Sequence, residues 1–245
     1  MSSLIVGLER RARRSSLGTL LVSPRTRWIA ATTLVLATVW VLVRLVLLAI
    51  GQSPPAFDVE LVRMFRSAVD TTLPRGPSWV RSGARDVTAL GGPVLLTLAV
   101  LASCAYLALR RQLKGIVVLV TATVGGIVLA YGLKGIIGRP RPPFLEHSAH
   151  PLASSFPSGH TTMSAIVYLT IAAVLVRLVR EPGVRRFMIG TALLLTLLVG
   201  ASRVYLAAHY PTDVLAGWLI GSVWATLWAL VARSLQRTEH LEAAR

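Results

Sequence analysis

Acid is what this sequence has least of. Ten Asp and Glu stand against 26 Lys and Arg in 245 residues, a formal net charge of +16. Asp213 is the only acidic residue between Glu181 and Glu239. No HExxH motif and no carboxylate cluster is present, so the chain offers no recognisable divalent-metal site. Charge of both signs is scarce, at 15% of residues, where a soluble domain carries about 25%. Cysteine is reduced to Cys104, which excludes an intramolecular disulfide and leaves the redox compartment open. Internal repeats, low-complexity tracts and a second domain are missing as well. What fills the chain is apolar: 54% of residues are hydrophobic and the mean hydropathy is +0.65. That balance identifies an integral membrane protein.

Six apolar segments are readable, at 28–50, 87–109, 115–133, 160–179, 187–206 and 212–232. Their hydrophobicity is continuous, without the alternation of barrel strands. Lipid therefore requires each to be a helix, whose backbone hydrogen bonds close within the segment. The first has too long a leader and core for a signal peptide, and no A-x-A site follows it, so a retained helix is expected. Between the first two spans, Phe57, Leu61, Met64, Phe65, Ala68 and Val69 recur at helical spacing, with Arg63, Arg66 and Asp70 interleaved. This predicts a short amphipathic helix, lying on the membrane interface or packed on the bundle ends. The expected fold is all-α: a six-transmembrane-helix bundle over 28–233, with a basic tail at 1–27 and a second tail at 234–245, both expected to be mobile.

Charge placement sets orientation. One side carries six Arg before residue 28, three cations at 110–114, four at 177–186 and three after 232. The other carries five at 51–85, three at 134–141, and Arg203. Sixteen against nine fits the positive-inside rule with both termini cytoplasmic. It also accounts for the net charge without nucleic acid as a partner.

Three polar clusters interrupt the apolar chain, all on the predicted outer side. Membrane segments rarely carry such residues without a functional reason. In Pro157-Ser158-Gly159-His160, Ser158 suits the N-cap of the fourth span. A helix N-terminus attracts phosphate through its free N–H groups, and Gly159 lets an anion come close. A plain capped helix start is the structural alternative. In the second cluster, Arg203 ends the fifth span, and His209 precedes Pro211 and Asp213. Four residues on, the Asp213 carboxylate can reach one imidazole nitrogen, fix the tautomer and leave the other nitrogen basic. A capping Asp beside an incidental His is the alternative. In the third, Lys134 and Arg141 lie seven apart, two helical turns, though Pro140 and Pro142 interrupt regular helix. Arg139 competes with Arg141 for the same role, and a positive loop at the lipid headgroups would also explain the cluster. Together the three supply cations, imidazoles and one carboxylate, an inventory for metal-free phosphoryl transfer.

The ordered set Lys134-x6-Arg141-Pro142, Pro157-Ser158-Gly159-His160, and Ser202-Arg203-x5-His209-x3-Asp213 resembles the type 2 phosphatidic acid phosphatase (PAP2) superfamily. Its spacing selects Arg141 over Arg139. The motifs cover about 80 residues; the six-helix layout extends the likeness over most of the chain. The segment from Asp86 to Gly92 also looks like bacterial members, whereas 1–27 lies outside the resemblance. The resemblance implies a helical bundle with a phosphate site at its outer end. It implies His209 as nucleophile, Asp213 as its orienting partner, and His160 as acid and then base. Lys134, Arg141, Ser158, Gly159 and Arg203 would hold phosphate oxygens, with no cofactor and no metal.

A site at the outer lipid–water boundary suits a lipid phosphate as partner. Undecaprenyl diphosphate is the favoured substrate, with phosphatidylglycerol phosphate and phosphatidate close behind. The expected setting is the bacterial inner membrane. A phosphotransferase using the same site, or an anion transporter, are the other functional readings. The loop 143–156, with Phe144, Glu146, His147 and His150, is a candidate headgroup gate or a plain connector. Arg44 is read as snorkelling to the interface or meeting a second phosphate. Gly125-Gly126 and Gly217 to Gly221 are read as close helix contacts.

Overall fold

A computed structural model of the chain describes residues 24–51, 53–144 and 154–242. Among the described residues eight α-helices follow one another: α1 (Pro24–Ile50), α2 (Ala56–Met64), α3 (Ser78–Ala89), α4 (Pro93–Leu109), α5 (Leu113–Ile137), α6 (Gly159–Leu175), α7 (Pro182–Tyr205) and α8 (Pro211–Glu242). A 3₁₀ turn, Val176–Leu178, extends α6. Among the described residues the β-structure is one isolated bridge, Arg66 to Pro74. Among the described residues five helices are long and apolar enough to cross a membrane, or six if the bent pair α3–α4 forms one span. The 24 residues of α7 reach about 36 Å at 1.5 Å per residue, enough for a hydrocarbon core of about 30 Å. The described residues up to Arg44 fall in one unit and those from Leu45 onward in another; the second holds the cavity and the residues around it.

The central helix of that unit is α6, which packs against α4, α5, α7 and α8. Its buried residues are small or β-branched, including Thr161, Thr162, Ser164, Ala165 and Val167. Close approach comes from glycine on the facing helix. A Cβ on Gly221 of α8 would lie 2.5 Å from the Ala165 Cβ and 2.7 Å from the Thr162 carbonyl oxygen. Without a hydrophobic drive between helices in lipid, such backbone proximity is what holds them together. The indoles of Trp218 and Trp224 donate to the Thr196 and Ala122 carbonyls, tying α8 to α7 and α5.

Two elements differ from expectation. The second apolar segment is not one helix over 87–109: helix begins at Ser78, breaks at 90–92 and resumes at Pro93, bent by 48°. Pro93 has no N–H to give the Ala89 carbonyl, which takes the Gly92 N–H instead at 2.8 Å. Pro93 then opens α4 from its first turn. The amphipathic helix is shorter than its pattern, because α2 stops at Met64. The chain then reverses through a turn closed by Ser67 N–H to Leu73 O and Arg75 N–H to Phe65 O. Arg66 is drawn out of the helical pattern to donate to the Tyr205 carbonyl at the C-terminus of α7. Both proposed placements of α2 describe part of it. Asp58 and Val62 are buried, Val62 against Ala207 and Tyr210, while Phe57, Leu61 and Met64 remain exposed. Beyond 234, where a tail is expected, α8 runs on to Glu242. Residues 1–23 and 243–245 lie outside the described residues.

Candidate active site

The turn between α7 and α8 presents His209. The Ala208 and His209 N–H groups both bond the Arg203 carbonyl, at 3.0 and 3.4 Å, folding the chain back over the end of α7. His209 is buried, 1% exposed. Its Nδ1 lies 2.7 Å from the Ser155 carbonyl oxygen. A carbonyl only accepts, so Nδ1 carries the proton and Nε2 of the neutral ring keeps a free lone pair. Asp213 does not make the tautomer-fixing bond expected of it. Its Oδ2 is 3.7 Å from Nδ1, an ion-pair distance rather than a hydrogen bond. That oxygen is taken by the Tyr210 N–H at 2.9 Å, half of a capping box at the start of α8. Oδ1 is taken by Arg139 Nη1 at 2.5 Å. Burial, helped by the charges of Arg203 and Lys134, pushes the His209 imidazole down to about 4, against the opposing pull of Asp213. The ring is therefore neutral at pH 7.

Beside His209 opens a cavity of about 610 Å³. Lys134 from α5, Arg141, Gly159 and His160 from the start of α6, and Arg203 from the end of α7 line its polar end with His209. Lys134 Nζ donates to the Ser154 carbonyl at 3.0 Å. The Lys134 Cε would lie 3.3 Å from a Cβ on Gly159, so glycine there leaves room for the amine. Arg203 Nη1 donates to Thr88 Oγ1 at 3.1 Å, and its buried Nε has no partner. The rest of the cavity is mostly apolar and runs between α4, α5 and α6 past Leu96, Val100, Ile127 and Met163.

Six of the eight sequence-selected residues thus surround one cavity, and two stand behind it. Asp213 lies behind His209. Ser158 occupies the N-cap of α6, yet its side chain makes no capping bond; its hydroxyl accepts from Thr161 at 2.9 Å. Its N–H bonds the Asp213 carbonyl at 3.1 Å, linking the starts of α6 and α8. The choice between the two arginines has a structural reason. Arg139 is 1% exposed and spends its guanidinium on Asp213 and Asp58, stacked 4.7 Å over the Tyr210 ring, whereas Arg141 lines the cavity.

The sequence reading missed Ser155, which acts through its backbone, and Thr88, although Thr88 falls in the 86–92 segment singled out. It also missed Asp58, a single acid in an amphipathic stretch with no motif around it. Of the loop, residues 145–153, with Glu146, His147 and His150, lie outside the described residues. Phe144 packs on the Val62–Tyr210 cluster. Arg44 is exposed.

Residues 113–237, just over half of the chain, match the PAP2 superfamily model. The chain belongs to the PAP2 superfamily. It is 34% identical over 145 residues to phosphatidylglycerophosphatase B of Bacillus subtilis, covering 58% of this chain and 70% of that one. It is 35% identical over 122 or fewer residues to more partial matches. Among these is undecaprenyl-diphosphatase of Sulfolobus acidocaldarius, over 118 residues, 46% of this chain and 53% of that one. The fold is similar to the crystal structure of a transmembrane PAP2 type phosphatidylglycerolphosphate phosphatase from Bacillus subtilis. The TM-score is 0.65 at 27% identity, covering 82% of this chain and 96% of that one. A PAP2 protein with these relatives is a multi-pass membrane protein and a phosphoric-ester hydrolase.

Proposed function

We propose that the cavity is the active site of a metal-independent lipid phosphatase working through a phosphohistidine. The observation that carries this reading is the Ser155 carbonyl on His209 Nδ1, which leaves Nε2 as a lone-pair donor among three cations. Nε2 forms the N–P bond as the bond from phosphorus to the leaving oxygen breaks. His160 gives that oxygen its proton. Water then attacks phosphorus, its proton passes to His160, and the N–P bond breaks. Lys134, Arg141 and Arg203, with the Gly159 N–H at the start of α6, would neutralise the phosphoryl oxygens, where charge collects in the transition state. An anion would also give the Arg203 Nε its missing acceptor. Ser158 would act by fixing the first turn of α6, and Asp213 by its charge beside the imidazole.

The apolar part of the cavity favours a phosphate carrying a hydrocarbon tail over a water-soluble ester. Among such lipids undecaprenyl diphosphate is favoured: the charge count supports an outward-facing site, where a spent carrier lipid would be met. The relatives named above act on that lipid or on phosphatidylglycerol phosphate, and phosphatidate remains a third substrate of the same chemistry. Purified protein in excess chelator, offered all three lipids, should release phosphate from at least one. His209→Ala should remove turnover while the protein stays folded. Activity that needs added metal, or survives in His209→Ala, contradicts the reading.

A further inference from the structure

The site as proposed uses Asp213 but leaves unexplained the buried charges behind it. Asp58, Arg139 and Asp213 are fully buried side chains. Arg139 Nη2 donates to Asp58 Oδ2 at 2.9 Å and Nη1 to Asp213 Oδ1 at 2.5 Å. Thr212 joins them. Its N–H donates to Asp58 Oδ1 at 3.1 Å, its hydroxyl donates to Asp58 Oδ2, and its Oγ1 accepts from Arg139 Nη1 at 2.8 Å. Asp58 thus caps the first turn of α8 from α2, taking the Thr212 N–H that has no carbonyl partner within the helix.

One guanidinium between two carboxylates leaves this fully buried cluster with a net charge of −1. The nearest ring able to answer it is His209, 3.7 Å from Asp213 Oδ2. The charged groups on the cavity side, Lys134, Arg141 and Arg203, are all positive. As the N–P bond forms, the imidazole becomes cationic between those cations and the carboxylate pair. Asp213 alone cannot serve it, because Arg139 would neutralise it. We propose that Asp58 is a positioning residue for the phosphoryl-transfer step. It occupies half of Arg139, so that Asp213 keeps a net negative charge for the imidazolium that forms at His209. This rests on His209 being the nucleophile.

The test is a double-mutant cycle on the full chain in detergent, with kcat expressed per phosphoenzyme-forming site and folding followed by melting. Asp58→Asn brings the cluster to neutrality and should lower kcat by about 10- to 100-fold, with KM within about threefold. Asp58→Asn combined with Arg139→Gln restores the net charge of −1 and should turn over faster than Asp58→Asn alone. A purely structural pair would make the double variant no faster per active site. If Asp58→Asn does not fold, the double variant is compared with wild type, and a folded double variant slower by more than about 100-fold overturns the proposal. So does unchanged kcat in Asp58→Asn, or failure of both variants to fold, which would make the cluster a structural one. Turnover retained in a His209→Ala control instead overturns the nucleophile assignment, and is read separately.

Discussion

His209 is buried as the neutral base, and its titration should show it. An ordinary imidazole has a pKa of about 6.5; burial takes this one to about 4. Between these values the unfolded chain binds more protons than the folded one. Stability should therefore rise with pH across about 4 to 6.5 and be lost as pH falls through that window. Melting curves of wild type and His209→Gln should separate there, with the shallower slope in the variant. The acid limb of kcat/KM should likewise fall well below pH 6. A limb at 6.5 would mean an imidazole in contact with water. The two neighbouring arginines should part just as clearly. Arg139→Ala leaves two carboxylates buried together and should cost about 3–5 kcal/mol of stability. Arg141→Ala should cost about 1 kcal/mol or less while lowering kcat/KM by about 100-fold, because it removes a cation from the transferring phosphoryl group. Chemical denaturation and steady-state kinetics on the two variants distinguish them. Motif spacing selected Arg141, but nothing in the sequence shows what Arg139 does, because its partner Asp58 lies 81 positions away.

Helices were legible where hydrophobicity is long and continuous, as in α5, α7 and α8. They were misread where local chemistry overrides it. The Gly91-Gly92-Pro93 break sits inside an apolar run, so an apolar window reads through it. The stop at Met64 depends on Arg66 being drawn to the end of α7, a contact with a helix 139 positions on. Close packing was foreshadowed by the glycines at 217 and 221. Gly221→Val should destabilise by about 1–3 kcal/mol or more, since its first carbon already collides with α6. Gly190→Ala on α7 has nothing within 4 Å of the new carbon and should instead gain about 0.5–1 kcal/mol. Melting temperatures of the two variants in one detergent test the contrast. If Gly221→Val packs as well as wild type, α6 and α8 do not meet as described.

Across the whole molecule, the net charge of +16 divides between an uneven distribution over the segment ends, which fits the positive-inside rule, and a few cations gathered at the cavity. Lys134, Arg141 and Arg203 come from three separate segments and meet only because α5, the loop after it and α7 end near the start of α6. Motif order made that convergence readable; the mostly apolar part of the cavity between α4 and α6 was not, since it belongs to no one segment. The central claim is that His209 Nε2 takes the phosphoryl group. The most direct measurement follows labelled phosphate from a lipid substrate into the protein in excess chelator, after rapid quenching. The expected result is an acid-labile, alkali-stable adduct that maps to His209, is missing in His209→Ala and accumulates in His160→Ala. Label on another residue, or turnover in wild type with no covalent adduct at any quench time, would contradict it.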